Sequence, residues 1–150
     1  MILRGSMETT LKPIEIFVFG SNLKGIHGAG AALHARKYHG AIMGHGSGLQ
    51  GNSYAIPTVY VPRNPLPLVT IGRYVSQFRE FAAANTDRYI FNVTPIGYGL
   101  AGFKPYQIAP LFTNMPSNVK LPVEFTSIIH DNIENPQTVE SIFCQHSEIK

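Results

Sequence analysis

Apolar positions along the chain change period several times, and each change marks an element. Ile14 to Phe19 is a short, nearly continuous apolar and β-favouring run, the pattern of a strand covered on both faces and therefore central in its sheet. From Ala29 to Tyr38 the alanines with Leu33 predict a helix; Arg36 and Lys37 suit its negative end, and Gly40 is a natural stop. Ala41-Ile42-Met43 predicts a short strand. Tyr54 to Val61 predicts another, interrupted by Pro57, which has no N–H for the ladder and so marks an edge, a bulge or the strand's end. Pro62 to Pro67 reads as a loop.

Thr70 is expected to cap the clearest helix, which carries Ile71, Tyr74, Val75, Phe78, Phe81 and Ala82 on one face and ends at Asn85-Thr86-Asp87. Tyr89 to Val93 is a strand. Lys104-Pro105 opens a short helix with Ile108, Leu111 and Phe112 that Pro110 makes irregular. Asn114 to Asn118 is a turn, and Val119 to Val123 a last strand weakened by Pro122. The stretch from Glu124 to Lys150 mixes apolar pairs such as Ile128-Ile129 with polar residues and reads as a C-terminal extension, helical or partly disordered. Strands alternating with helices predict an α/β domain with three α/β/α layers and some antiparallel edge pairing, hence a mixed central sheet.

Two strand ends run into glycines. The first is Ile16-Phe17-Val18-Phe19-Gly20-Ser21-Asn22, followed by Gly25, Gly28 and Gly30 at the mouth of the alanine-rich helix. The second is Tyr89 to Ile96, followed by Gly97-Tyr98-Gly99-Leu100-Ala101-Gly102-Phe103. Glycine lets the backbone come close to a ligand, and the first turn of a helix offers unpaired N–H groups with a partial positive charge, a combination that suits phosphate or diphosphate. The same glycines also serve plain tight turns. Because ligands of α/β sheets sit beyond the carboxyl ends of the strands, two such loops are expected to form two walls of one cleft.

Composition narrows the setting. The 150 residues suffice for one domain with a real core, 44% are apolar and only 14% charged. Between Lys37 and Arg63 there is no charged residue, and the glycine-rich middle of that span, Gly44 to Ser53, is expected to lie against protein or ligand. The net charge of +3 is modest and the cations are scattered, so nucleic acid is not indicated as a partner. No apolar run of about eighteen residues and no signal peptide is evident, which makes a cytoplasmic protein with no membrane partner the expectation. Cys144 is the one cysteine and reads as a free thiol. Met1 to Met7 reads as a cloning remnant with a second start at Met7.

Several motifs fail on context. Gly97-x-Gly99-x-x-Gly102 has the letters of a dinucleotide fingerprint, but the helix after it is short and proline-broken, and Glu124 stands in a poor strand context. The first loop has Leu33 at the final glycine position, and no Walker lysine pattern occurs. Ser47 has its glycines one residue away, where a nucleophile elbow wants them two away. The six histidines lack metal-ligand spacing, so no metal and no cofactor are expected. His27 stands apart because it lies inside the first loop, where it could donate to a phosphate. No pair of carboxylates falls beside either loop, which leaves acid–base work without obvious candidates.

Taken together, Val18-Phe19-Gly20-Ser21-Asn22, Gly28-Ala29-Gly30-Ala31-Ala32 and Pro95-Ile96-Gly97-Tyr98-Gly99-Leu100-Ala101-Gly102-Phe103 resemble the macro domain family over roughly Ile14 to Phe112. The likeness is greatest to the branch that includes the terminal ADP-ribose protein glycohydrolases. It implies a macro-like domain over residues 8–123 that binds ADP-ribose or a related nucleotide between the two loops, an ADP-ribosylated protein being a further partner. It also implies that Asn22 faces the ribose beside the diphosphate, that Gly28, Ala29, Gly30 and Ala31 give N–H groups to the diphosphate, and that Gly97 to Gly102 close over it with Phe103 near the distal ribose. Gly20, Ser21, His27, Tyr98, Leu100 and Ala101 complete the expected ligand-binding set.

Hydrolases of the similar branch carry an aspartate where this chain has Ala101, and others use an acidic residue in the first loop, where only Ala29 and Gly30 are available. Binding is therefore the first reading. A hydrolase that removes ADP-ribose from an adduct, with Asn22 as the catalytic residue orienting water, is the alternative. A nucleic-acid or protein interaction module on the same fold is a further one.

Overall fold

A computed structural model describes residues 12–99 and 101–134. Leu100, Cys144 and His146, like the expectations for residues 1–7 and 135–150, lie outside the described residues.

Strand β1 (Ile14–Asn22) sits in the middle of a mixed six-stranded sheet. Its parallel neighbours are β3 (Ser53–Val61) on one side and β5 (Tyr89–Val93) on the other, and β6 (Val119–Lys120) continues the sheet in parallel beyond β5. Two short strands, β2 (Gly48–Gln50) and β4 (Asn64–Pro65), run antiparallel to β3. The sheet carries helices on both faces, which makes three α/β/α layers.

The period-two pattern of β1 divides the core. Ile16 and Val18 face the larger cluster, built with helix α2 (Leu68–Ala83), whose Ile71, Val75, Phe78 and Ala82 are fully buried. Phe17 and Phe19 face the other way, onto helix α1 (Gly30–Tyr38), which packs closely because Ala32 and Ala35 are small. The same alternation in β3 sends Tyr54 and Ile56 to the first cluster and Ala55 to the second. Helix α3 (Pro105–Ile108) opens on Pro105 and passes at Pro110 into a 3-10 turn (Ala109–Phe112), the irregularity its sequence foretells.

Several expectations change. Ala41-Ile42-Met43 forms no strand; the Ala41 N–H is held by the Ala35 carbonyl as the end of α1, and the strand instead forms at β2. There the Gly51-Asn52 pair turns a hairpin that matches Gln50 to Ser53. Helix α2 begins at Leu68, with Pro67 in the capping position; Thr70 lies inside the helix, its N–H bonded to the Pro67 carbonyl. β6 stops at Lys120, because Pro122 starts a turn that leads into helix α4 (Val123–Glu134). Phe125 of α4 is fully buried against Phe112 and Tyr98, so the packed unit runs past residue 123. None of the described helices is long and apolar enough to cross a membrane.

Candidate functional site

Parallel pairing aligns the carboxyl ends of β1, β3 and β5, and the segments leaving them enclose one cavity of about 420 Å³. That volume falls in the range of small-molecule sites, roughly 300–1,000 Å³. Gly20, Ser21 and Asn22 at the end of β1, then Gly28, Ala29, Gly30 and Ala31, line one side. Gly97, Gly99 and Ala101 of the second glycine loop line the other, below Thr94, Pro95 and Ile96. Thr58, Val59 and Pro62 of the β3 end complete it.

The first wall is shaped by close backbone packing. The uncharged segment 42–48 lies against the end of β1: the Gly44 N–H bonds to the Gly25 carbonyl at 2.9 Å, and the Ser21 hydroxyl donates to the Gly46 carbonyl. A Cβ on Gly25 would overlap the backbone of Gly44 and His45, and φ of +70° at Gly25 disfavours any side chain as well. Asn22 closes the loop on itself. Its amide donates to the Ile26 carbonyl at 2.8 Å, and its oxygen accepts from the Ile26 N–H at 3.0 Å. Asn22 is thus the clamp of the loop as well as part of the cavity wall, with one N–H and one lone pair left over.

Helix α1 opens directly into the cavity. Its capping residue, Ala29, is extended (φ −156°, ψ 162°) and supplies no side-chain cap, so the N–H groups of the first turn have no side-chain acceptor. Gly30, with φ of +57°, has nothing within 4 Å of a Cβ position. Among the described residues no charged side chain lines the cavity. Polar character there comes from backbone groups and from Ser21, Asn22, Thr58 and Thr94. The Thr94 hydroxyl is spent on the Val18 carbonyl at 2.8 Å.

Four expected site residues lie elsewhere. His27 is fully buried behind the loop, its ring edge-on to Phe19 and its Nε2 within 3.1 Å of the His45 carbonyl and 3.3 Å of Gln50 Oε1. Two acceptors at Nε2 place the proton there, and the ring braces segment 42–50 where a phosphate donor was expected. Tyr98 turns from the cavity to Phe125; burial, then the charge of Glu124, pushes its phenol pKa up. Phe103 packs against the larger core, and its N–H closes the loop on the Gly97 carbonyl at 2.8 Å. Gly102 donates to the Gly99 carbonyl and takes no part in the lining.

Comparison with protein-family models, with curated proteins and with solved structures finds no match. The cavity wall itself therefore carries the functional reading. Thr58, Val59, Pro62, Thr94 and Pro95 belong to that wall although neither glycine loop contains them. The one trace of the β3 part of this wall in the sequence is Pro57, which marks an irregularity in the strand but not the residue that it turns into the cavity.

Proposed function

We propose that this domain binds ADP-ribose or a closely related nucleotide diphosphate, with the diphosphate held by main-chain N–H groups. One observation carries the reading: an uncapped helix N-terminus opens into a cavity that both glycine loops line and that no charged side chain among the described residues enters. A helix start carries about half a positive charge and several unpaired donors, which suits an anion without lysine or arginine. Ile26, Val59, Pro62 and Ile96 give apolar surface of the kind a base and a sugar face require. The likeness to macro domains supplies the nucleoside. Among the described residues the wall offers neither a carboxylate nor an imidazole for proton transfer, which favours binding over turnover.

Calorimetric titration with ADP-ribose, ADP and NAD tests the reading. ADP-ribose is expected to bind with a Kd well below about 1 mM, that is, with more than about 4 kcal/mol. Ala31→Glu sets a carboxylate in the first turn of α1, where it is expected to leave folding intact or raise stability by about 0.3–1 kcal/mol while excluding the diphosphate. Absence of binding to all three ligands, or full binding by Ala31→Glu, contradicts the reading.

A further inference from the structure

Thr58 stands at a bulge. Ser21 of β1 pairs with Pro57 and Asn22 with Val59, so Thr58 is the extra residue, matched to nothing on β1. On its other side β2 pairs with β3 only as far as Ala55 and β4 only from Val59, and the Thr58 carbonyl accepts from the N–H of Leu66, just past β4, at 2.9 Å, so the bulge frees the side chain and not the backbone. A bulge re-aims its side chain, and this one lines the cavity. Thr58 is only 5% exposed, and its hydroxyl has no hydrogen-bond partner among the described residues. The hydroxyls of Ser21 and Thr94 are both bonded to carbonyls, which leaves Thr58 as the uncommitted hydroxyl of the wall. The hydroxyl oxygen is not sealed off, so water reaches it from the cavity, and a valine of similar shape replaces it at little cost to folding.

A second donor borders the same space. The position a Cβ would take on Gly20 lies 3.8 Å from Thr58 Oγ1 and 3.9 Å from the backbone nitrogen of Gly97. Gly97 is buried, lines the cavity, and its N–H has no acceptor among the described residues. Ile96 Cγ2, at 3.3 Å from that point, gives the niche an apolar side. An N–H can only donate and a hydroxyl can donate as well, so this side of the cavity suits an oxygen that accepts.

Resting on the binding function proposed above, we infer that Thr58 and the Gly97 N–H form a subsite for a phosphoryl oxygen of the ligand, across the cavity from the start of α1. Thr58 is then a ligand-recognising residue. Its conformation is held by the bulge at Pro57 before any ligand arrives, so little ordering is needed on binding.

The test compares wild type, Thr58→Val and Thr58→Ser by calorimetry with ADP-ribose and with ADP, alongside thermal unfolding of the ligand-free proteins. Thr58→Val is expected to unfold at the same temperature as wild type or higher, and to bind both ligands about 10- to 100-fold more weakly, the effect of one hydrogen bond to a charged group. Thr58→Ser keeps the donor and is expected to stay within about threefold of wild type. Equal binding by wild type and Thr58→Val overturns the subsite while leaving the proposed function standing; failure of wild type to bind either ligand overturns both. A loss confined to ADP-ribose overturns the phosphoryl assignment, and a loss of binding with a lowered unfolding temperature in Thr58→Val shows the hydroxyl to be structural.

Discussion

Asn22, Gly25, His27 and Gln50 hold the first glycine loop in place by side-chain and backbone contacts that a ligand does not need to touch. Asn22 clamps Ile26, Gly25 admits the backbone of segment 42–48, and the Gln50 amide donates to the His45 carbonyl at 2.9 Å while its oxygen accepts from the Ile42 N–H at 2.8 Å. The imidazole of His27 completes the network from the core side. A second histidine acts on stability. His39 stacks on Phe17 with ring centroids 4.4 Å apart, and burial, then the neighbouring His34, hold its pKa below the ordinary 6.5. The unfolded chain therefore takes up this proton first as pH falls, so stability is lost as pH drops below the ordinary value and through the folded one. Urea unfolding of wild type and His39→Gln from about pH 7.5 to about pH 5.5 checks this: wild type is expected to lose more stability over the range, and equal losses contradict it.

At the scale of elements, helix α4 is where the domain extends beyond what its sequence advertised. Phe125 is buried against Phe112, with ring centroids 5.2 Å apart, and beside Tyr98 of the second glycine loop. Phe125→Ala is expected to cost about 3–5 kcal/mol in urea unfolding, and a loss under about 1 kcal/mol would mean that α4 is not part of the core. β1, α1, α2 and β5 were legible because each buries a face whose period shows in the letters, as in Ile16 and Val18 against Phe17 and Phe19. β2 was not, since among its residues only Leu49 is apolar and the strand exists because β3 offers it a partner. The Gly51-Asn52 pair was a readable hairpin signal. Thr70 resembled a cap, but Pro67, three residues earlier, already has the extended backbone that starts a helix.

For the whole molecule, what matters is that crossovers through α1 and α2 place β3 and β5 on either side of β1, so both glycine loops emerge from one edge of the sheet. The loops could be read from the sequence; the third wall could not, because Thr58 and Pro62 reach the cavity through strand register and a bulge. His27 and Tyr98 show the converse, residues within the loops whose side chains serve the core. Gripping of a diphosphate by bare peptide nitrogens on two sides is tested most directly by following every backbone amide in a nitrogen–proton NMR titration with ADP-ribose. Saturable shifts are expected at Gly28, Gly30, Ala31 and Ala32 together with Gly97 and Gly99, with the amides of α2 still. Shifts on one loop alone, or none on either, would contradict it.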